Sequence, residues 1–427
     1  MRKTLLTLAL ATLVCNAEAA NLSDIYQQAR KNDAVYASAQ AAYKAGLERL
    51  PQGRALLRPS VNLSANVRQI DSDASSGSYN SRGVTLALTQ PIYRKQNLES
   101  LEQAKLQVQA VEAQLKLAEQ GLIQRTAQAY FDVLLAQDNL ATAEAQKAAI
   151  AEQLALAKKS FEVGAATIVD THEAQARYDA TVAQEIASRN ELDVKRRTLE
   201  RLIMAAAPKL ANLAGKVTIS LPQPNDMDSW VKQARENSLS VQVSQAQAEI
   251  ARREVARQRG GYLPTVDLTA SLSDSHNGSL VGTDSQNAAL GLELGWNLYQ
   301  GGATSSLVRE AVANKERALF DLDNATRQAE LDTRQAFLGV VSGEAQVRAL
   351  EQAVVSSEAQ LNSTKLGQEV GVRTAVDVLN AQQSLFSARR DLASARYSAL
   401  ISGIILKAVS GALTEADLQA VDALLKE

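Results

Sequence analysis

The residue types that most often do chemistry are sparse in this chain and are not grouped. Its two histidines, His172 and His276, lie far apart in unlike surroundings, which does not indicate a pair of metal ligands. The sequence contains no glycine-rich phosphate loop, no nucleophile elbow and no metal-ligand spacing. The sequence therefore predicts that the protein is not an enzyme and binds neither a metal nor a cofactor.

The first 19 residues have the pattern of a secretory signal peptide. Arg2 and Lys3 precede an apolar run over residues 5–14, and residues 17–19 (Ala-Glu-Ala) form a small-x-small cleavage site. The only cysteine, Cys15, lies inside this segment. We therefore expect an exported mature chain that has no thiol catalysis, no disulfide and no cysteine-ligated metal.

Composition points to long helices rather than to a compact globule. Aromatic residues make up only 4% of the 427 residues, and Ala, Gln, Leu, Glu and Lys dominate the middle of each half of the chain. The formal net charge of −2 excludes the basic footprint of a nucleic-acid-binding protein. The best apolar run after the signal peptide, residues 399–406, is cut short by Lys407 and is too short to span a membrane as a helix. Insertion into a membrane would therefore use strands.

The chain repeats itself at a spacing of about 206 residues. Residues 28–32 (QARKN) return as 233–237 (QAREN), and residues 161–164 (FEVG) return as 368–371 (QEVG). A duplication of this kind usually places its two halves around a common axis.

Each repeat contains a long helical tract that turns back on itself. Between residues 98 and 163, apolar residues recur every seven positions, as in a coiled coil, and a helix of this length would be about 100 Å long. A matching tract runs from about Ala303 to Glu369. Gly164 and Gly371 can each end a helix in the left-handed conformation, and a threonine three residues later can cap the next helix. The sequence thus predicts two helical hairpins with their tip turns at these glycines.

Each repeat also contains a short β-hairpin with one apolar and one polar face. The first alternates over residues 60–69 and 84–89 around a polar loop at 71–82, and the second includes the alternating run 290–298 after a polar loop at 274–287. Such strands suit a lipid-facing barrel with a water-filled interior, in which Asp267 and Glu293 would face the lumen. Aromatic residues stand at the strand ends, as in the girdle of a membrane barrel: Tyr93, Trp296 and Tyr299.

The alternation alone is also compatible with two amphipathic hairpins that pack on a soluble core. The duplication, the signal peptide and the length of the helices favour the barrel. Four strands cannot close a barrel, and an open sheet edge is not tolerated in hydrocarbon. Two chains would supply eight strands, which leave little room inside, and three chains would supply twelve.

The sequence resembles the TolC-type outer-membrane exit duct family over essentially the whole mature chain. The resemblance is carried by the openings at 28–32 and 233–237, the strand starts Arg58-Pro59-Ser60-Val61 and Leu263-Pro264-Thr265-Val266, residues 90–93 (QPIY), 298–302 (LYQGG) and 370–380 (VGVRTAVDVLN). It implies a mixed fold: a long α-helical coiled-coil barrel, short transmembrane β-hairpins that contribute to a shared β-barrel, and a small α/β equatorial region. It also implies a homotrimer in outer-membrane lipid that docks a periplasmic adaptor protein and an inner-membrane ABC or proton-driven transporter.

On this basis the chain is expected to divide into successive segments. These are a signal peptide (1–19), an N-terminal helix and first upward helix (20–59), a first transmembrane β-hairpin (60–92), a first periplasmic helical hairpin (93–204), a linker with equatorial region and second upward helix (205–263), a second transmembrane β-hairpin (264–298), a second helical hairpin (299–411) and a C-terminal equatorial helix (412–427).

The resemblance further implies a gate at the periplasmic end, closed by polar links and narrowed by acidic rings. The matching residues are Arg373, Asp170 and Asp377, and three-fold repetition of Asp377 would attract cations to the opening. Two positions depart from the family pattern: Asn380 replaces a second aspartate, and Gln368 replaces a tyrosine that supports the latch. We therefore expect a less negative constriction and a differently bonded latch.

The leading hypothesis is a passive trimeric duct for tripartite efflux, type I protein secretion or both, which an adaptor and a pump open at its periplasmic end. The alternative is a periplasmic coiled-coil adaptor that forms no pore. The first predicts an oligomer that requires detergent, and the second a soluble protein after signal removal.

Overall fold

A computed structural model describes residues 19–72, 77–215, 219–277 and 284–426. Except for Ala19, the predicted signal peptide and Cys15 lie outside the described residues. Short helices come first in each half of the chain: α1 (Leu22–Asn32), α2 (Ala34–Leu47) and α3 (Arg49–Ala55), then α6 (Met227–Asn237) and α7 (Leu239–Arg259).

The longest elements are two pairs of antiparallel helices. The first pair is α4 (Lys95–Glu162) and α5 (Ile168–Ile203), and the second is α8 (Ala303–Glu369) and α9 (Ala375–Val409). With 68 residues, α4 is about 100 Å long. Small residues let these helices approach closely: a Cβ added at Gly343 of α8 would lie 3.1 Å from the Cβ of Ala399 on α9.

The two β-hairpins form one four-stranded antiparallel sheet. Its strands are β1 (Ser60–Ser72), β2 (Gly77–Tyr93), β4 (Thr265–Asn277) and β5 (Ser285–Gly295), in the order β1-β2-β4-β5. The register pairs Leu63 with Leu86 on one face and Ser64 with Thr85 on the other. In the second hairpin it likewise pairs Ala270 with Leu290 and Thr269 with Gly291. The sheet therefore has one apolar and one polar face, and β1 and β5 are its edges.

The strands differ in length from the sequence-based expectation. Paired strands extend into both predicted polar loops, 71–82 and 274–287, because polar side chains continue the cross-strand contacts. The Gln69 amide donates to Ser78 Oγ at 3.0 Å, and the Ser275 and Ser285 hydroxyls lie 2.8 Å apart. In contrast, β5 ends at Gly295, so the extension of the alternating strand to residue 298 is wrong.

The apolar core lies at mid-height of the long helices, where both chain termini and the linker meet them. Small elements complete this equatorial region: β3 (Asn212–Leu213), α10 (Glu415–Asp422) and β6 (Leu425–Lys426). Fully buried Tyr130 of α4 brings its hydroxyl within 2.9 Å of the Ala211 carbonyl oxygen and 3.1 Å of the Ala20 carbonyl oxygen. Burial raises the pKa of this hydroxyl, so it stays protonated and donates. The Asp422 carboxylate accepts from the Leu22 backbone N–H at 2.9 Å, which ties the C-terminal helix to the start of α1.

Among the described residues, one helix, α9 (Ala375–Val409), has the length and the apolar composition that a membrane-spanning helix needs. It contains residues 399–406, the best apolar run found in the sequence, which Lys407 cuts short. Its apolar residues contact other helices of the same chain: Leu379 packs with Ile150 and Leu154 of α4. Its composition is therefore explained by packing against α4 and α8.

Candidate functional site at the hairpin tips

The turns at 163–167 and 370–374, here called the hairpin tips, have the same backbone structure. Gly164 and Gly371 have φ angles of +77° and +78°, in the left-handed region that favours glycine. In the first tip the Ala165 N–H donates to the Ser160 carbonyl at 2.8 Å, and in the second the Val372 N–H donates to the Gly367 carbonyl at 2.8 Å. The two glycines thus end α4 and α8 as the sequence predicts.

Each return helix begins with a capping box that uses a predicted gate aspartate. The Asp170 carboxylate accepts from Thr167 N–H at 3.0 Å, and the Asp377 carboxylate accepts from Thr374 N–H at 2.9 Å. The hydrogen bonds from Thr374 hold the pKa of Asp377 below its ordinary value, and the nearby Arg373 guanidinium lowers it further. Asp377 is therefore ionised at neutral pH.

Arg373 lies at the exposed end of the second tip. Its backbone N–H donates to the Gly367 carbonyl at 3.0 Å, and its side chain crosses Gly367, where an added Cβ would lie 2.8 Å from Arg373 Cγ. The first repeat has Ser160 at the position that corresponds to Gly367. Gly367 therefore makes room for the arginine, and a glycine inside a long helix is the sequence signal that could have indicated this contact.

The structure does not bring all predicted gate residues together. Within the described residues of one chain, no hydrogen bond or ion pair joins Arg373 to Asp170, and the side chain of Gln368 bonds to neither. Asn380 accepts instead from Arg177, a residue of α5 that sequence reasoning did not select. Spacing alone could not indicate this contact, because the two residues lie on different hairpins.

The seam between the two hairpins, just above the tips, combines apolar and polar contacts. Leu379 of α9 packs with Ile150, Leu154 and Ala157 of α4, and Arg390 donates to the Gln146 side-chain oxygen at 3.1 Å. Two glutamines in these helix segments are buried: Gln153 is 7% exposed and Gln382 is 1% exposed. Among the described residues, neither amide oxygen has a hydrogen-bond partner. An unpaired buried amide weakens a packed seam, and this seam carries two of them.

The tips expose apolar side chains to solvent. Val163 is 78% exposed, Val370 is 66% exposed and Val372 is 78% exposed. Equivalent valines are thus exposed in both repeats, which gives each chain two similar apolar contact points at the same end.

The opposite end of the long helices joins the sheet through an ion pair whose carboxylate is buried. Asp267 of β4 is only 7% exposed, and Arg94 binds its carboxylate through two hydrogen bonds of 2.8 and 2.5 Å. In the register of the sheet, Asp267 pairs with Glu293 of β5. The Asp267 carboxylate, which was predicted to face the lumen, is therefore bound by Arg94. This ion pair holds the junction between β2 and α4 in place.

The predicted aromatic girdle residues lie at or just beyond the strand ends near this junction. Tyr93 is the last residue of β2, whereas Trp296 and Tyr299 follow the end of β5. Trp296 donates to the Tyr262 carbonyl at 3.1 Å, and Tyr299 is 87% exposed.

The histidines do not form a site together. His276 pairs with Asp284 near the far end of the second hairpin, and His172 is an exposed residue of α5 near the tip. In the part of the chain that the structure describes, no three His, Cys, Asp or Glu side chains group closely enough to hold a metal ion.

Two stretches of the chain match the same protein-family model. The model described as "Outer membrane efflux protein" matches residues 25–203 and 230–412, one match for each repeat. Together the two matches cover most of the chain.

Two curated relatives are similar over nearly their whole length. The chain is 33% identical to the "Outer membrane protein TolC" of Vibrio cholerae, over 98% of this chain and 97% of that protein. It is 31% identical to the "Alkaline protease secretion protein AprF" of Pseudomonas aeruginosa, over 96% of this chain and 88% of that protein. Among solved structures, the Campylobacter jejuni CmeC outer membrane channel has the same fold, with a TM-score of 0.82 over 94% of this chain and 89% of that chain at 18% identity.

Proposed function

The chain belongs to the outer membrane efflux protein family, and we infer from this membership that it is an outer-membrane exit duct for efflux and type I secretion. The observation that carries this conclusion is full-length similarity to the Vibrio cholerae channel. The sequence-based predictions of the family, the mixed fold class and an outer-membrane location with a periplasmic portion are confirmed. Proteins of this family are channels rather than enzymes, which favours a duct over a pore-free adaptor.

Channels of this type are trimers that work with adaptors and inner-membrane transporters. For this chain, the two unpaired edges β1 and β5 support the shared barrel, because an open edge is not tolerated in hydrocarbon. Joining β5 of one copy to β1 of the next leaves no edge when the ring closes. Three copies give twelve strands and a lumen wider than that of an eight-stranded barrel.

The energy for transport comes from the inner-membrane transporter, and this chain supplies a passive path. The adaptor docks at the hairpin tips, where Val163, Val370 and Val372 expose apolar surface. AprF is named for secretion of an alkaline protease, and this supports a folded or unfolded polypeptide as one class of cargo. Small molecules expelled by an efflux pump are the other class.

Arg373 latches the closed tip to a neighbouring copy. It is exposed at the extreme end of α8–α9, and the cap on Asp170 engages only Oδ2 of that carboxylate, which leaves Oδ1 for a guanidinium of a neighbouring copy. In a ring of copies the first hairpin of one chain lies beside the second hairpin of another, so a guanidinium at this position meets the acidic first turn of α5.

Replacing Arg373 with glutamine tests both the duct and the latch. Purified wild-type protein should form pores in planar lipid bilayers, and Arg373→Gln should raise the single-channel conductance at least about twofold because the closed end loosens. Single-channel recording measures both results.

The matched control is Lys365→Gln, which removes a positive charge from the exposed surface of α8 near the same end without touching the tip turn. Its conductance should equal that of the wild type. Wild-type protein that forms no pores would contradict the duct, whereas equal conductance of the wild type and Arg373→Gln would contradict only the latch.

A further inference from the structure

We propose that Arg177 is a clasp that holds α5 to α9 inside each protomer and that its charge reduces the cation preference of the constriction. This inference rests on the proposed function, since it concerns the gate of the duct. Arg177 thus acts as a positioning and selectivity residue of this particular chain.

All three guanidinium nitrogens of Arg177 are engaged. Nη1 donates to the Gln383 side-chain oxygen at 2.6 Å, and Nη2 donates to the Asn380 side-chain oxygen at 3.3 Å. Nε donates to Glu173 on its own helix at 3.2 Å, which orients the fork toward α9. The planar guanidinium can bridge two acceptors on one helix in this way, whereas a lysine ammonium cannot present the same fork.

The clasp has no counterpart at the equivalent position of the repeat. Ser384 occupies the place in α9 that Arg177 occupies in α5, and its hydroxyl donates to the Asn380 carbonyl of the same helix at 3.1 Å. The side chain of Glu173, which corresponds to Asn380, is bound by Arg177. In a ring of alternating hairpins, the clasp therefore closes the seams within protomers and leaves the seams between protomers without it.

This asymmetry determines how the tip can open. The seams between protomers depend on the Arg373 latch and the seams within protomers on the clasp, so full opening of the tip requires both to be released. Loss of the clasp allows α5 and α9 of the same protomer to separate as well, which widens the opening further.

The guanidinium also lies close to the predicted acidic ring. Asn380 and Gln383 follow Asp377 on α9 by about 4.5 and 9 Å along the helix axis, so the guanidinium that binds them lies about 7 Å farther along α9 than Asp377. That distance is about one Debye length at physiological salt. With the screening at that distance included, one unit charge changes the local concentration of a monovalent ion about 1.5-fold, and therefore the ratio of cations to anions about twofold.

Two substitutions separate the clasp from the charge. Arg177→Gln removes both, and should raise single-channel conductance and also raise the cation-to-anion permeability ratio about twofold. Arg177→Lys keeps the charge and loses the fork, so conductance should rise while the permeability ratio stays at the wild-type value. Both quantities come from planar bilayers, with the permeability ratio taken from the reversal potential in a salt gradient.

Arg189→Gln is the matched control. Arg189 also lies on α5 and pairs with Glu185 and Glu144, but it bonds no residue of α9 and lies about 18 Å farther from the tip. Arg189→Gln should leave the single-channel conductance and the cation-to-anion permeability ratio unchanged. Oligomer formation on gels should be the same for all variants.

The outcomes are distinguishable. If the wild type conducts and Arg177→Gln matches it in conductance and permeability ratio, the clasp is wrong while the duct stands. If the ratio rises in Arg177→Lys as much as in Arg177→Gln, the charge assignment is wrong. Wild-type protein without pores would overturn the proposed function itself.

Discussion

Alanine at Gly411 is expected to destabilise the equatorial region by about 3 kcal/mol. Gly411 follows α9 with a φ of +75°, which costs an L-residue about 1 kcal/mol. An added Cβ would overlap the Asn237 carbonyl oxygen and lie 2.6 Å from its carbonyl carbon. Both neighbours are backbone atoms, so the clash requires movement of the chain between α6 and α7, at about 1–3 kcal/mol.

Thermal unfolding in detergent, followed by circular dichroism, measures this effect. The unfolding temperature of Gly411→Ala should fall by about 3 °C, since the entropy of unfolding scales with the length of the chain. Gly403→Ala is the matched control, because Gly403 lies in α9 about two turns before Gly411 and an added Cβ there meets nothing within 4 Å. It should raise stability by about 0.5–1 kcal/mol, since alanine favours a helix over glycine. An unchanged unfolding temperature for Gly411→Ala would show that the tight approach to Asn237 is wrong.

Arginine at Leu290 is expected to prevent assembly in the membrane. Leu290 lies at the middle of β5 on the apolar face and is 77% exposed in one chain. A charged residue on the lipid face of a barrel costs about 2–4 kcal/mol at the bilayer midplane, and a trimer would bear this cost three times. The heat-modifiable oligomer in outer-membrane fractions should therefore fall at least about tenfold on gels.

Ala289→Arg provides the matched control, because the adjacent residue points to the opposite, polar face beside Ser271. It should assemble at the wild-type level. If Ala289→Arg assembles poorly and Leu290→Arg assembles normally, the two faces of the sheet have been assigned the wrong way round. Equal assembly of both variants would contradict a lipid-facing sheet.

Local sequence signals were sufficient to predict the main elements. The heptad pattern and the glycine-threonine turns fix the long helices and their tips, because helix periodicity and capping depend on residues only a few positions apart. The α8 bounds Ala303–Glu369 match the predicted tract for this reason. Alternation also revealed both hairpins, but it misjudged their ends, because polar residues of the predicted loops still pair across the strands and the apolar residues Trp296 and Leu298 continue the alternation after β5 has ended.

Less of the candidate site than of the main elements could be predicted from the sequence. The repeat aligns Asp170 with Asp377, but the family resemblance was needed to select both aspartates and Arg373 as gate residues. The contacts of Arg177 with α9 and of Arg94 with Asp267 join residues far apart in the chain. Such pairs depend on how helices and strands are placed in three dimensions, which spacing does not encode. Contacts between copies are similarly absent from the periodicity of a single chain.

In the proposed duct, one chain supplies only part of the channel wall, and further copies are required to complete it. Native mass spectrometry of the protein, extracted from outer membranes with detergent, is the decisive test of this requirement. We expect a particle of three copies that requires detergent to stay in solution. A monodisperse single copy that is stable in buffer without detergent would contradict the shared wall.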